Sequence, residues 1–351
     1  MAAVTFVLPG DARSGGVRVT VIMANALLER GHQVRIAIPR PERVKNYIEQ
    51  WLRKRWRNAG WLWQFKGPVV RFKSLNDLTY EKEEIVFAVG TYAIPFVRAL
   101  KKPVVKVRYN HGLPARPRKQ DAAAWHGKML TITVSHTVAE TLQRLGVGPV
   151  WGVVPNGIDT NEYFMMPDVI RDGIGAVFNS HPNKAPEDLI AVLGELKKQT
   201  PSVPIRIFSE EKRPVGLDVV EYKRLPSVEK ARQMYNQSMV WILTSRTEGL
   251  PGVVLEAMAC GCVVVSSDND GSREVIVHNL NGILVPCGDR SAFVRETVQL
   301  LKDPARQQTL RSAALETIKK YTWTRAVDSM EKFLRESPAL ALKDNNVTPA
   351  T

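Results

Sequence analysis

Two glutamates eight positions apart, Glu248 and Glu256, frame the stretch of this chain best equipped for chemistry. Between them Gly249, Leu250, Pro251, Gly252 and Val253 form a glycine- and proline-rich loop that enters a short apolar helix, and Gly261 can stop that helix. The first amides of a helix have no acceptor within it and favour an anion, while carboxylates accept hydrogen bonds from hydroxyls. The chemistry on offer is the binding of a hydroxyl-rich anion. Lys184 adds a cation just before a helix opened by Pro186, where ammonium and backbone N–H groups can hold a phosphate together. His111 lies just beyond a strand-like run, where open α/β sheets place ligand groups, and its imidazole can donate to a sugar hydroxyl. Gly15 and Gly16 stand where a strand turns into a helix and let a ligand approach the backbone closely. A simple tight turn explains that pair equally well, because neither G-x-G-x-x-G nor G-x-x-x-x-G-K-[ST] is present.

Strands and helices must alternate to position these residues, and the hydrophobic pattern predicts that they do. Strands are expected at 4–8, 34–38, 85–89, 104–107, 130–134 and 150–154, with helices at 17–30 and 92–100 and another after the N-cap Ser135. The rhythm lapses between 160 and 173 and restarts with strands at 175–178, 205–208, 219–222, 240–243 and 262–266. The fold class expected is α/β: two doubly wound domains facing each other across a cleft at the carboxyl ends of their strands. Residues 1–165 would form the first domain, 166–320 the second, 321–336 a last helix, and 337–351 a loose polar tail.

The length suits two domains, and a formal charge of +14 favours anionic partners without choosing among nucleotides, lipid surfaces and nucleic acid. A basic, tryptophan-rich insert near 40–73 is the main irregularity. Its core, 47–63, carries Trp51, Trp56, Trp61 and Trp63 among arginines and lysines. Such a mixture suits a peripheral membrane contact or the mouth of a site for an amphiphilic acceptor; a packed helical insert and nucleic-acid stacking are the alternatives. Three cysteines fit neither a disulfide scaffold nor a zinc motif, so reduced thiols in the cytoplasm are expected. No apolar stretch reaches the length of a membrane span, and residues 1–10 read as a first strand rather than a secretion signal. The Asp268-Asn269-Asp270 triplet sits in a loop, and the histidines are not spaced as ligands, so no metal site is expected.

From 227 to 289 the chain resembles the retaining nucleotide-sugar glycosyltransferases of family 4, which have the two-Rossmann-domain GT-B fold. The resemblance rests on the glutamate, seven residues, glutamate spacing, followed by Ala257-Met258-Ala259-Cys260-Gly261, Arg273-Glu274-Val275-Ile276 and Asn281-Gly282-Ile283-Leu284-Val285. Gly15-Gly16 and Val154-Pro155-Asn156-Gly157-Ile158-Asp159 extend it into the first half. It implies roles: Glu256 on both ribose hydroxyls of the donor, Glu248 on the transferred sugar, and the amides of Gly249 to Val253 towards sugar and diphosphate. Lys184 would neutralise the diphosphate, His111 touch the sugar, and Gly15 and Gly16 crowd the phosphate or acceptor. Retention by same-face attack, with the leaving phosphate taking the acceptor proton, would require neither a protein base nor a metal cofactor. The partners implied are a nucleoside-diphosphate sugar and a hydroxyl acceptor, lipid-linked or anionic, at the inner face of the plasma membrane, with no nucleic acid. A nucleotide-sugar hydrolase, epimerase or phosphorylase would suit the same fold, and a non-catalytic lipid- or nucleic-acid-binding protein is a third reading. Two departures stand out. Asn179 occupies the position of an arginine common in the family, so a charged donor for the diphosphate is missing or supplied from elsewhere, and Thr244 replaces a common proline. If Lys184 does not hold the phosphate, Arg18 and Arg206 are the candidates by charge alone.

Overall fold

The apolar runs form parallel strands covered on both faces, which is why they read as near-continuous hydrophobic sequence rather than as alternation. The computed structural model describes residues 1–11, 13–40, 60–112, 129–147, 150–217 and 221–346. Two units result, one formed by residues 1–155 with 326–351 and the other by 156–325.

In the first unit the elements run β1 (Ala3–Val7), α1 (Gly15–Glu29), β2 (Gln33–Pro39), β3 (Val69–Phe72), β4 (Ile85–Val89), α2 (Ile94–Arg98), β5 (Val105–Asn110), β6 (Leu130–Thr133), α3 (His136–Arg144) and β7 (Val150–Val153). The sheet order is β3-β2-β1-β4-β5-β6-β7, with all pairs parallel. Chain order reverses at β1, which has β2 on one side and β4 on the other; open α/β sheets bind ligands at the carboxyl ends of strands around such a point. Ser14 caps α1 by accepting from the Val17 amide, so Gly15 and Gly16 form the first helical turn rather than the loop before it. Gly31, at φ +87°, ends that helix in a left-handed conformation that side chains resist. Phe6 stacks on Phe87 at 4.9 Å between ring centroids, and Phe87 meets Phe333 at 6.2 Å, drawing the chain's last helix onto this core. Arg30 adds ion pairs to Asp328 at 2.6 Å and Glu331 at 2.7 Å.

The second unit runs β8 (Gly173–Val177), α4 (Pro186–Gln199), β9 (Ile205–Ser209), β10 (Glu221–Arg224), α5 (Val228–Asn236), β11 (Ser238–Leu243), α6 (Gly252–Ala259), β12 (Val263–Ser267), α7 (Asp270–Val275), β13 (Ile283–Val285), α8 (Arg290–Lys302) and α9 (Pro304–Ile318), and leads into α10 (Trp323–Asn346). Its six parallel strands follow the order β10-β9-β8-β11-β12-β13, so the reversal falls at β8, between β9 and β11. Gly261, at φ +80°, closes α6 with paired bonds from Gly261 N to Met258 O and from Cys262 N to Ala257 O, both 2.9 Å.

Two further expectations change. Residues 69–72, read as part of the insert, form β3 beside β2, because a short edge strand carries too few apolar positions to announce itself. Of that insert, residues 41–59 lie outside the described residues, so its core is described only from 60 to 63. The last helix runs to Asn346, past the Glu336 where a polar tail was expected, since alanine, leucine and lysine are good helix formers.

Within the second unit the turn at Gly157 lies against the chain leading into α10. Ile158 forms an isolated parallel bridge with Thr322, and a Cβ on Gly157 would stand 2.4 Å from the Trp323 amide nitrogen. Gly157→Ala is expected to destabilise the fold by about 1–3 kcal/mol through overpacking against backbone. An unchanged melting temperature would show that this contact yields without cost.

Candidate functional site

Because β8 and β11 are neighbours, the loops that leave their carboxyl ends meet. The loop after β8 carries Lys184 and the loop after β11 carries Glu248; Lys184 Nζ lies 2.6 Å from Glu248 Oε1. The glutamate side chain is 10% exposed and the lysine 37%, so the carboxylate is sheltered while the ammonium remains reachable. Lys184 ends a single 3-10 turn, Pro182–Lys184, after which buried Ala185 adopts a left-handed φ of +47° and turns the chain into α4. The Thr244 hydroxyl donates to the Lys184 carbonyl at 3.1 Å, a tether that proline lacks the group to make. The amide of Arg246 donates to the Asn183 carbonyl at 2.7 Å, and the Asn269 side chain donates to the Ser245 carbonyl at 2.9 Å. The Glu248 loop is therefore fastened from both sides.

Leu250 and Pro251 connect this ion pair to α6, and the Asn156 amide donates to the Leu250 carbonyl at 3.4 Å. A helix beginning at Gly252 leaves the Gly252 and Val253 amides without an intrahelical acceptor. The first turn contains no acidic residue, and a Cβ on Gly252 would meet nothing within 4 Å. This end of α6 thus has space and donors for an anion. One turn further on, Glu256 is 8% exposed, and its Oε2 accepts from the Tyr235 hydroxyl at 2.8 Å.

In the first unit His111 directly follows β5. Its ring lies 4.2 Å from the Tyr109 ring, and a Cβ on Gly16 would stand 3.5 Å from its edge, so these two predicted residues are neighbours. A Cβ on Gly15 would meet nothing within 4 Å among the described residues. Both imidazole nitrogens are out of solvent and have no hydrogen-bond partner among the described residues, although the residue as a whole keeps some exposure. Burial lowers the His111 pKa to about 4. At neutral pH the ring is therefore uncharged, with one N–H donor and one acceptor available for a ligand.

The structure separates other residues from these groups. Arg206 lies near the amino end of β9, paired with Asp172 at 2.7 Å and Glu221 at 3.4 Å, on the side of the sheet remote from Lys184. It does not replace the arginine absent at Asn179. Arg18 stands over the Trp61 ring at 5.4 Å and Arg13 at 5.3 Å, both in the first unit. Asn179 and His181 shape their own loop: Asn179 accepts from the His181 amide at 2.9 Å, and His181 Nδ1 accepts from the Asn183 amide at 3.2 Å. Asp268 and Asp270 face Arg273 at 2.6 and 3.8 Å. Among the described residues no group of three or more histidine, cysteine or acidic side chains is placed to hold a metal ion. Cys260 and Cys262 are buried, and burial raises both thiols, Cys262 to about 12, away from nucleophilic use.

Two participants were missed in the sequence. Tyr235 precedes Glu256 by 21 positions and belongs to a different helix, so no local spacing connects them. Gly271 lies beneath the Glu248 loop, where a Cβ would stand 2.7 Å from the carbonyl carbon and the Cβ of Glu248.

Comparison with known proteins gives the family. The model for Glycosyltransferase Family 4 matches residues 13–162, and that for Glycosyl transferases group 1 matches 171–303. The chain belongs to glycosyltransferase family 4. Among relatives, this family 4 chain is 26% identical over 214 residues to the phosphatidyl-myo-inositol mannosyltransferase of Mycobacterium leprae, covering 57% of each chain. It is 23% identical over 183 residues to a D-inositol 3-phosphate glycosyltransferase of Streptomyces bingchenggensis, covering 52% of this chain and 40% of that one. The matched stretch spans about half the length of these curated relatives. The GT-B fold is shared with Anabaena HepE in complex with UDP-glucose, at a TM-score of 0.75 and 16% identity over 97% of this chain and 100% of that one. It is also shared with sucrose-phosphate synthase from Thermosynechococcus elongatus, at 0.72 and 15% over 97% and 100%.

Gly271→Ala is expected to displace the Glu248 backbone by a few tenths of an ångström or more and to break the 2.6 Å contact with Lys184. A crystal structure of the variant with that contact intact would contradict the role given to Gly271.

Proposed function

We propose that this chain is a retaining glycosyltransferase that moves a sugar from a nucleoside-diphosphate sugar to a hydroxyl acceptor. The observation that carries the reading is the Lys184–Glu248 pair beside the open amino end of α6, with Glu256 one turn inside that helix. In this reading the donor diphosphate takes Lys184 from Glu248 and accepts from the amides of Gly249, Leu250, Gly252 and Val253. Glu248 then turns to a hydroxyl of the transferred sugar, and Glu256 holds the ribose hydroxyls. Neutral His111 supplies a donor to the sugar, and Gly15 and Gly16 leave room beside it for phosphate or acceptor.

The transition state combines a cationic sugar with an anionic leaving group, so donors fixed on the diphosphate contribute most to rate. The acceptor attacks from the face the nucleotide leaves, and the departing phosphate takes its proton. Lys184 and backbone amides supply the positive potential in this scheme, so it needs no metal. UDP is the first nucleotide to test, because HepE is a structural neighbour seen with UDP and with UDP-glucose.

The acceptor proposed is lipid-linked or otherwise anionic, reached at the cytoplasmic face of a membrane. Support comes from the +14 charge and from the aromatic end of the 47–63 segment, where Trp63 is 62% exposed and arginines flank Trp61. No helix among the described residues is long and apolar enough to cross a membrane, so the contact proposed is peripheral.

Calorimetry without added metal should find selective micromolar binding of one nucleoside diphosphate, and product analysis should find transfer to an alcohol with retained configuration. Lys184→Ala should lower turnover by about one to three orders of magnitude. Near-normal turnover would assign the phosphate to another cation. In vesicle flotation with anionic lipid, Trp61→Ser combined with Trp63→Ser should shift protein to the lipid-free fraction; equal recovery of variant and wild type would remove these tryptophans from membrane contact.

A further inference from the structure

We infer that Tyr235 is the positioning residue for Glu256: its buried hydroxyl holds the carboxylate in the orientation that receives the nucleotide ribose. The inference rests on the ribose role proposed for Glu256 and adds the residue that enforces it.

Tyr235 is wholly buried near the carboxyl end of α5, and its hydroxyl donates to Glu256 Oε2 at 2.8 Å. The tyrosine has little freedom to move. Its ring lies 4.2 Å from that of Trp241, 5.5 Å from Phe208 and 6.0 Å from Tyr163. Trp241 is itself fixed from behind, since a Cβ on Gly175 would stand 2.1 Å from its ring. The Tyr235 carbonyl accepts from Cys262 Sγ at 3.0 Å, linking α5 to the turn that ends α6. Burial and the nearby Glu256 charge raise the Tyr235 pKa well above its ordinary value, so the hydroxyl stays protonated and acts as a permanent donor.

A glutamate side chain has three rotatable bonds, and fixing it when ligand binds costs affinity. A donor already in place on one oxygen removes much of that cost before the nucleotide arrives. Each carboxylate oxygen has two lone-pair sites, so the bond from Tyr235 leaves acceptor capacity for ribose hydroxyls. The diphosphate, held by Lys184 and the start of α6 in the proposed function, does not depend on this bond. Tyr235 should therefore affect the ribose alone.

The test is calorimetric, with uridine and guanosine diphosphates, their dideoxyribose counterparts and inorganic pyrophosphate as probes. Wild type should prefer the better ribonucleotide over its dideoxy form by about tenfold or more, as expected for hydrogen bonds to a charged group. In Tyr235→Phe that preference should fall by about three- to tenfold, with pyrophosphate affinity unchanged and the dideoxy affinity nearly so. In the Glu256→Ala background, which leaves the hydroxyl no acceptor at 256, the same tyrosine change should have no further effect on the preference. A merely structural role would weaken all probes alike, and that result, or a ratio unchanged in Tyr235→Phe, overturns the inference. If the phenylalanine variant does not fold, 4-fluorophenylalanine at 235 fills the space of the hydroxyl without donating, and the same ratio decides. Failure of the underlying reading looks different: wild type itself would bind ribose and dideoxyribose nucleotides equally, which removes Glu256 from the ribose and the inference with it.

Discussion

The ion pair between Lys184 and Glu248 depends on one topological fact, the reversal of strand order at β8. Parallel strands release their loops at the same edge of a sheet, and the reversal places the loops after β8 and β11 side by side even though 64 positions separate the two residues. The surrounding bonds serve this meeting. Thr244 ties one loop to the other, Ala185 accepts a left-handed conformation to aim Lys184, and Gly271 omits a side chain so that Glu248 can lie where it does. A left-handed alanine carries a conformational cost, and residues of this kind persist where the surrounding structure holds them.

The same economy governs the charges. Glu248 is sheltered and would be an expensive lone anion, and the reachable Lys184 offsets its charge. Glu256 is arranged differently. It lies deeper in α6 and is held by a neutral, permanently protonated donor that no ligand competes to remove. One carboxylate thus faces a reachable charged partner and the other a buried neutral one.

Polar atoms without partners repeat the pattern in the first unit. The His111 nitrogens, the Tyr109 hydroxyl and the Asn110 amide nitrogen are buried there without hydrogen-bond partners among the described residues. Buried polar groups are normally satisfied, and these lie at and just beyond the carboxyl end of β5. His111 is uncharged there because burial disfavours its protonated form.

Much of this was legible in the sequence. Local patterns determined the α/β rhythm, the Ser135 cap, the stop at Gly261, and the paired glutamates with Lys184 and the glycines, because each depends on residues within a few positions of one another. Edge strand β3 and the full length of α10 escaped, the one too short to show a period and the other ending in a stretch whose composition reads as a polar tail. Tertiary structure alone decided which distant groups meet: Lys184 with Glu248, Tyr235 with Glu256, Gly271 beneath the acidic loop, and Arg206 at the wrong end of its strand. The reason is physical. Local sequence sets backbone conformation over one or two turns, whereas the order in which strands join a sheet is settled by packing among elements far apart in the chain.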